Sequence, residues 1–166
     1  MVIAIGGVSR AGKTSLAKKI AHLINEENLI IKLDDFTSVY NNKYRIHDLA
    51  DWENPDCIDF TKLYEKIITE ERNVPVLIIE GFLITHDLRI RNLINYYIHI
   101  ELSYETFVKR RAADYREPAW YIEHVWESHQ KNGLNFKDLT SQVISGENEI
   151  DLLSILRFLN LNSNEA

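Results

Sequence analysis

The eight residues Gly7-Val8-Ser9-Arg10-Ala11-Gly12-Lys13-Thr14 constrain the fold of this chain more than any other stretch. Two glycines with four residues between them, then lysine, then threonine, complete the pattern of a phosphate-binding loop. The glycines let successive backbone N–H groups close around phosphate oxygens, and the N-terminus of the following helix adds a favourable dipole. A loop of this kind needs a buried strand before it and a helix after it. Val2 to Ile5 is an unbroken apolar run ended by glycines, the signature of a strand covered on both faces. From Thr14 onward Leu16, Ile20, Leu23 and Ile24 recur at helical spacing. A glycine turn with no ligand is the alternative, and the complete pattern in this setting disfavours it. Lys13 is expected to neutralise the β- and γ-phosphates of a nucleotide, and Thr14 to place its hydroxyl on Mg²⁺.

The rest of the chain alternates in the same way. Leu29 to Leu33 reads as a second strand closed by Asp34-Asp35, and residues 37–55 read as a long polar and aromatic excursion suited to substrate recognition. Phe60, Leu63, Ile67 and Ile68 mark a helix, and Val74 to Ile79 a central strand ended by Glu80-Gly81. Tyr96 to Ile100 reads as the fourth strand. A basic helix follows with Ser103 as N-cap, carrying Lys109, Arg110, Arg111 and Arg116, and Pro118 is expected to interrupt it. A further helix falls within 120–136, a fifth strand over Ser141 to Ser145 before a turn at Gly146, and a closing helix over 150–159. The expectation is one α/β domain over residues 1–166, three layers deep, with a five-stranded, mostly parallel sheet and a helical lid at about 103–120.

Charge and cysteine content narrow the function. A formal net charge of -6 disfavours a broad nucleic-acid or acidic-membrane footprint, either of which needs a basic excess. The single cysteine, Cys57, suits a reducing compartment, and Met1 to Gly7 has neither a basic leader nor a long apolar run, so a cytoplasmic location is expected.

In an open parallel sheet the carboxyl ends of the strands share one edge, and the ligand crevice lies there. Asp34, Asp35 and Glu80 all fall on that edge. Phosphoryl transfer to an alcohol needs a carboxylate to orient the hydroxyl and take its proton, and another group to hold Mg²⁺. Asp34 is assigned the first role and Glu80 the second, while Asp35 caps or braces the loop. Taken singly, each would read as a solvated strand end; the phosphate loop beside them changes that. Arg110, Arg111 and Arg116 are candidates for stabilising charge on the transferred group, against the alternative of a solvated face paired with Glu105, Asp114 and Glu117. The six histidines show no metal-ligand spacing and read as surface or packing residues. Trp120 and Trp126 read as core, with Trp52 left open because it stands in the excursion between Asp51 and Glu53.

With these residues in hand, the chain resembles the uridine kinase and nicotinamide riboside kinase group of P-loop kinases, nearly end to end. The matching segments are the phosphate loop, Leu33-Asp34-Asp35-Phe36, Trp52-Glu53-Asn54-Pro55, Leu77-Ile78-Ile79-Glu80-Gly81-Phe82-Leu83, Lys109-Arg110-Arg111 and His124-Val125-Trp126. The resemblance implies that ATP is the co-substrate, held by Gly7, Ser9, Arg10, Ala11, Gly12, Lys13, Thr14, Ser15 and Arg111. It implies further that Lys13, Arg110 and Arg111 assist Asp34 in catalysis, and that Thr14 and Glu80 serve Mg²⁺. A small nucleoside is the implied partner, with Asp34, Asp35, Phe36, Trp52, Glu53, Arg116 and Tyr121 as its contacts, in a monomer or homodimer. The family's ribose-binding acid is usually aspartate; here the position holds Glu53, one methylene longer, with Asp51 as the other candidate. A nucleotide-driven switch is the rival class, but Asn42-Lys43-Tyr44-Arg45 is a poor match to the guanine-reading Asn-Lys-x-Asp and lies too early. A kinase of another metabolite alcohol is the remaining alternative.

Overall fold

The structure, a computed structural model, describes residues 1–37, 44–114 and 117–163. Strand β1 (Val2–Gly7) leads through the glycine loop into helix α1 (Lys13–Leu23), and β2 (Asn28–Lys32) follows. The excursion folds in part as a two-residue hairpin, β3 (Arg45–Ile46) with β4 (Leu49–Ala50). Then come α2 (Phe60–Glu70), β5 (Val76–Glu80), α3 (Leu88–Arg91), β6 (Tyr96–Glu101), α4 (Tyr104–Asp114), α5 (Ala119–Asn132), β7 (Ser141–Ser145) and α6 (Leu152–Phe158). The large sheet runs β2-β5-β1-β6-β7, and its four described pairings are all parallel, where the sequence suggested mostly parallel.

Two faces of one sheet explain the three layers. Along β1, Ile3 and Ile5 point to one side, where they pack with Leu16 and Ile20 of α1, Phe107 of α4 and Val125 of α5. Val2 and Ala4 point to the other, against Leu63 and Ile67 of α2 and Ile90 of α3. A strand that must bury both faces has no room for polar alternation, which is why β1 and β5 read as continuous apolar runs. β1 lies in the middle, between β5 and β6, so β5 is an interior strand but not the central one.

Several boundaries differ from the sequence reading for identifiable reasons. Leu33 leaves β2 and opens a 3₁₀ turn, Leu33–Phe36, so Asp34 and Asp35 stand on a turn rather than at a strand end. β5 begins at Val76, after Pro75, whose missing N–H disfavours an interior ladder. Pro118 does not interrupt a helix; it is the N-cap of α5 with φ -63, a position where a missing N–H leaves no bond unmade. The α3 turn had no sequence expectation, although Asp87 caps it by accepting from the backbone N–H of Arg89 at 2.8 Å. α4 begins as anticipated: the N–H of Thr106 donates to Ser103 Oγ at 3.2 Å.

The sheet reaches the phosphate loop through a tight crossing. A β-carbon built on Gly6 would lie 1.9 Å from Tyr97 Oη, the hydroxyl that meets His99 Nδ1 at 3.2 Å inside the core. His99 in turn stacks on His129 of α5, ring centroids 5.7 Å apart, which puts both histidines in packing roles. Burial holds both well below the usual histidine range, His99 at about 4 and His129 at about 3, so both stay neutral at ordinary pH. Gly6→Ala is expected to destabilise the fold by about 1–3 kcal/mol through overpacking. Thermal unfolding will show the drop, and adding Tyr97→Leu to Gly6→Ala should recover part of it.

Candidate active site

The phosphate loop leaves β1 at Gly7, whose φ of 141 and 2.5 Å approach of a would-be β-carbon to the Ile100 carbonyl require glycine. Arg10 at φ 65 and Gly12 at φ 103 curl the loop, and Ala11 N–H donates to the Val8 carbonyl at 3.1 Å. The helix then starts at Lys13, so its first unpaired N–H groups face the loop's hollow. Lys13 folds back to donate from Nζ to the Val8 carbonyl at 2.9 Å. Burial pushes its ammonium below the usual lysine range, while Glu80, Asp34 and Glu53 pull it back up.

These groups open onto a cavity of about 880 Å³ that gathers most of the predicted site. From the loop it takes Ser9, Arg10, Gly12, Lys13, Thr14 and Ser15; Gly7 and Ala11 shape the loop from behind. Parallel pairing of β1 with β5 sets Glu80 beside Ile5, and Thr14 Oγ1 donates to Glu80 Oε1 at 2.6 Å. Asp34 lines the cavity from the 3₁₀ turn, whose carbonyl at Asp34 accepts from both the N–H and the hydroxyl of Thr37, at 3.3 and 2.8 Å. Asp35 is exposed, and Phe36 packs into the core under α2; neither lines the cavity.

Trp52 and Glu53 form the opposite wall, Trp52 42% exposed and Glu53 only 7%. Glu53 is fixed through its backbone, its carbonyl accepting from Ser128 Oγ at 3.1 Å. Burial raises its carboxyl to about 7, against the opposing pull of Arg111 and Lys13. Asp51 is committed elsewhere: its Oδ1 lies 2.7 Å from His124 Nε2, and it faces a neighbouring cavity instead. Tyr121 is 2% exposed and donates its hydroxyl to the Ala50 carbonyl at 2.9 Å, so it supports the Trp52 segment from the core rather than lining the cavity.

Both described arginines of α4 reach the phosphate loop. Arg110 donates to the Gly146 carbonyl at 2.8 Å and to the Arg10 carbonyl at 3.3 Å. Arg111 donates to Ser9 Oγ at 2.6 Å and makes a two-pronged pair with Glu117, at 2.9 and 3.2 Å. Arg111 thus has the Glu117 partner that the paired-face reading named, but at 7% exposure it is buried at the cavity and not on a solvated face. Arg116, Asn42 and Lys43 lie outside the described residues. Thr37, Phe82, Ala113 and Glu117 also line the cavity and were not expected to. Of these, Thr37 opens the excursion, Phe82 lies in a matching segment and Glu117 is an acid near the basic run, while Ala113 left no trace in the sequence.

The donors fit Mg²⁺. A hydroxyl touching a buried carboxylate is a hard oxygen pair, and this ion is usually held by one or two protein groups with phosphate oxygens and water. Among the described residues no group of three or more His, Cys, Asp and Glu side chains is placed to hold a metal ion by itself.

No family model matches the chain. It is 26% identical over 153 residues to uridine kinase of Borrelia duttonii, covering 77% of this chain and 74% of that one. It is 28% identical over 168 residues to nicotinamide riboside kinase 1 of Mus musculus, covering 86% of this chain and 83% of that one. Among solved structures it superimposes on a sugar kinase from Janibacter with a TM-score of 0.65 at 20% identity, covering 96% and 94% of the two chains. It superimposes on a possible uridine kinase from Bacillus stearothermophilus with a TM-score of 0.54 at 15% identity, covering 87% and 88%. The resemblance carried by the motifs therefore stands: this chain has the fold of the P-loop kinases and is similar, over most of its length, to uridine and nicotinamide riboside kinases.

Proposed function

We propose that the chain transfers the γ-phosphoryl group of ATP to the 5′-hydroxyl of a ribonucleoside, with nicotinamide riboside the first candidate acceptor and uridine or cytidine the second. The observation that carries this is the meeting, in one cavity, of a complete phosphate loop with three carboxylates on separate elements: Asp34, Glu53 and Glu80. Its similarity to kinases of small alcohols supports the reaction, and similarity to named nucleoside kinases supports the acceptor class.

Each residue's role follows from its setting. The loop N–H groups and Lys13 hold the phosphates, and Arg110 and Arg111 approach from the lid side to spread the charge that transfer builds. Asp34, exposed on its turn and facing the cavity, orients the acceptor hydroxyl and takes its proton. Thr14 and Glu80 would hold Mg²⁺, which when bound neutralises charge on the phosphates. Glu53 binds the ribose hydroxyls, and its extra methylene relative to aspartate reaches into the cavity from a backbone anchored by Ser128. The residue pair Trp52-Glu53 thus offers a flat face beside a hydrogen-bond acceptor, as a nucleoside requires.

The base assignment is tested with Asp34→Asn, which should lower turnover about 10²–10⁴-fold while Mg-ATP binding measured by calorimetry stays near wild type. A panel of single nucleosides assayed for ADP release tests the acceptor; no turnover of any of them removes the nucleoside reading. The raised carboxyl of Glu53 adds a pH signature. Below about 7 it is largely protonated and a poorer acceptor for hydroxyl donors, and above about 7 it is ionised. The acceptor KM should therefore fall as pH rises toward 7 and level off above it, whereas Glu53→Gln should show a higher KM without that pH step.

A further inference from the structure

We infer that Glu117 is a positioning residue, which holds the Arg111 guanidinium edge-on so that its remaining face meets the phosphate loop at the terminal phosphates of the bound nucleotide. This rests on the nucleotide-binding reading above and names a residue for it that lies outside every motif.

Three contacts fix the guanidinium. Nε and Nη2 donate to the two oxygens of Glu117 at 2.9 and 3.2 Å, the fork-to-fork geometry that adds direction to charge. Nη1 donates to Ser9 Oγ at 2.6 Å, across the gap between α4 and the loop. The flat face of the guanidinium lies 5.9 Å from the centre of the Tyr121 ring, itself locked to the Ala50 carbonyl. An arginine on the last turns of a helix has several rotamers open to it, and each must be frozen before it can act on a phosphate. Glu117 does that from the far side. It stands directly before Pro118, the N-cap of α5, so the carboxylate comes from the entry to α5 rather than from α4 itself.

Charge sets the sign of the effect. Asp34, Glu53 and Glu80 share the cavity with two cations, Lys13 and the 7% exposed Arg111. Glu117 pairs with Arg111, and because it takes the Nε edge it does not compete for the Nη1 tip that reaches Ser9. A latch that kept Arg111 from the nucleotide would grip that tip instead. Glu117 is thereby a support, and removing it weakens nucleotide handling instead of releasing it.

A double-mutant cycle tests this, using Mg-ATP affinity by calorimetry together with kcat and both KM values. Glu117→Gln should weaken ATP binding about five- to tenfold and lower kcat, with the acceptor KM nearly unchanged. In an Arg111→Met background, Glu117→Gln should add almost nothing. Glu117→Asp should recover part of the loss. Full additivity of the two substitutions, or tighter ATP binding by Glu117→Gln, overturns the assignment. A fall in melting temperature matching the loss of affinity in Glu117→Gln and equally present in the Arg111→Met background also overturns it, since Glu117 would then act through the fold. Failure of the kinase reading looks different: the unaltered protein would transfer phosphate to no acceptor, while the affinity cycle would still give its answer.

Discussion

The hydrogen bond from Thr14 to Glu80 ties together the parts on which everything else depends. Thr14 lies in the first turn of α1 and Glu80 ends β5, and the two meet because β1 lies next to β5 in parallel register, with Ile5 level with Glu80. Shift that register by one residue and Glu80 would turn to the other face of the sheet, away from the loop. The apolar packing of β1 on both sides prevents the slip, because it would carry Ile3 and Ile5 into the layer shaped for Val2 and Ala4. The site's geometry is thus a property of the core before it is a property of the loop.

The charges around Lys13 follow from the same arrangement. A buried ammonium is costly alone, and here burial and three carboxylates act on it in opposite directions. The carboxylates come from three different segments: Asp34 from the turn after β2, Glu53 from the excursion and Glu80 from β5. A nucleotide's phosphates would add negative charge where carboxylates already crowd, so cationic charge beyond the loop's own Arg10 and Lys13 would favour their binding. Arg110 and Arg111 supply it from α4, each already hydrogen-bonded to the loop or its neighbour.

Which of these features could be read from residues alone depends on whether they are local. The five strands of the large sheet, α1, the eight-residue phosphate loop, and the position of Glu80 at the end of β5 are all written in contiguous runs. Asp34 was placed correctly at the carboxyl edge although its backbone is a 3₁₀ turn, since either conformation leaves it beyond the last paired residue of β2. The choice between Glu53 and Asp51 was not legible. Two acids of similar chemistry two positions apart are distinguished only by the partner that one of them meets, and His124 is 73 residues from Asp51 along the chain. Tyr121 was misjudged for the same reason: an aromatic residue at a helix start faces core or cavity according to what packs on it, and here the hairpin residue Ala50 draws it inward.

The excursion is therefore held by contacts that leave Glu53 lining the cavity. Asp51 is pinned to His124, Tyr121 to Ala50, and Ser128 to the Glu53 carbonyl, so three residues of α5 grip successive points of the 50–53 segment. Each grip is directed at backbone or at Asp51, and none is directed at the Glu53 carboxylate. A segment fixed in this way keeps the Glu53 carboxyl group at a set depth in the cavity wall. The extra methylene of glutamate then changes reach and not rigidity, because the backbone that carries it is held on either side. Since the N-cap of α5, Pro118, stands next to the Glu117 that pairs with Arg111, the one helix adjoins both the Glu53 wall and the Arg111 side of the cavity. Movement of α5 relative to the sheet would displace the two together.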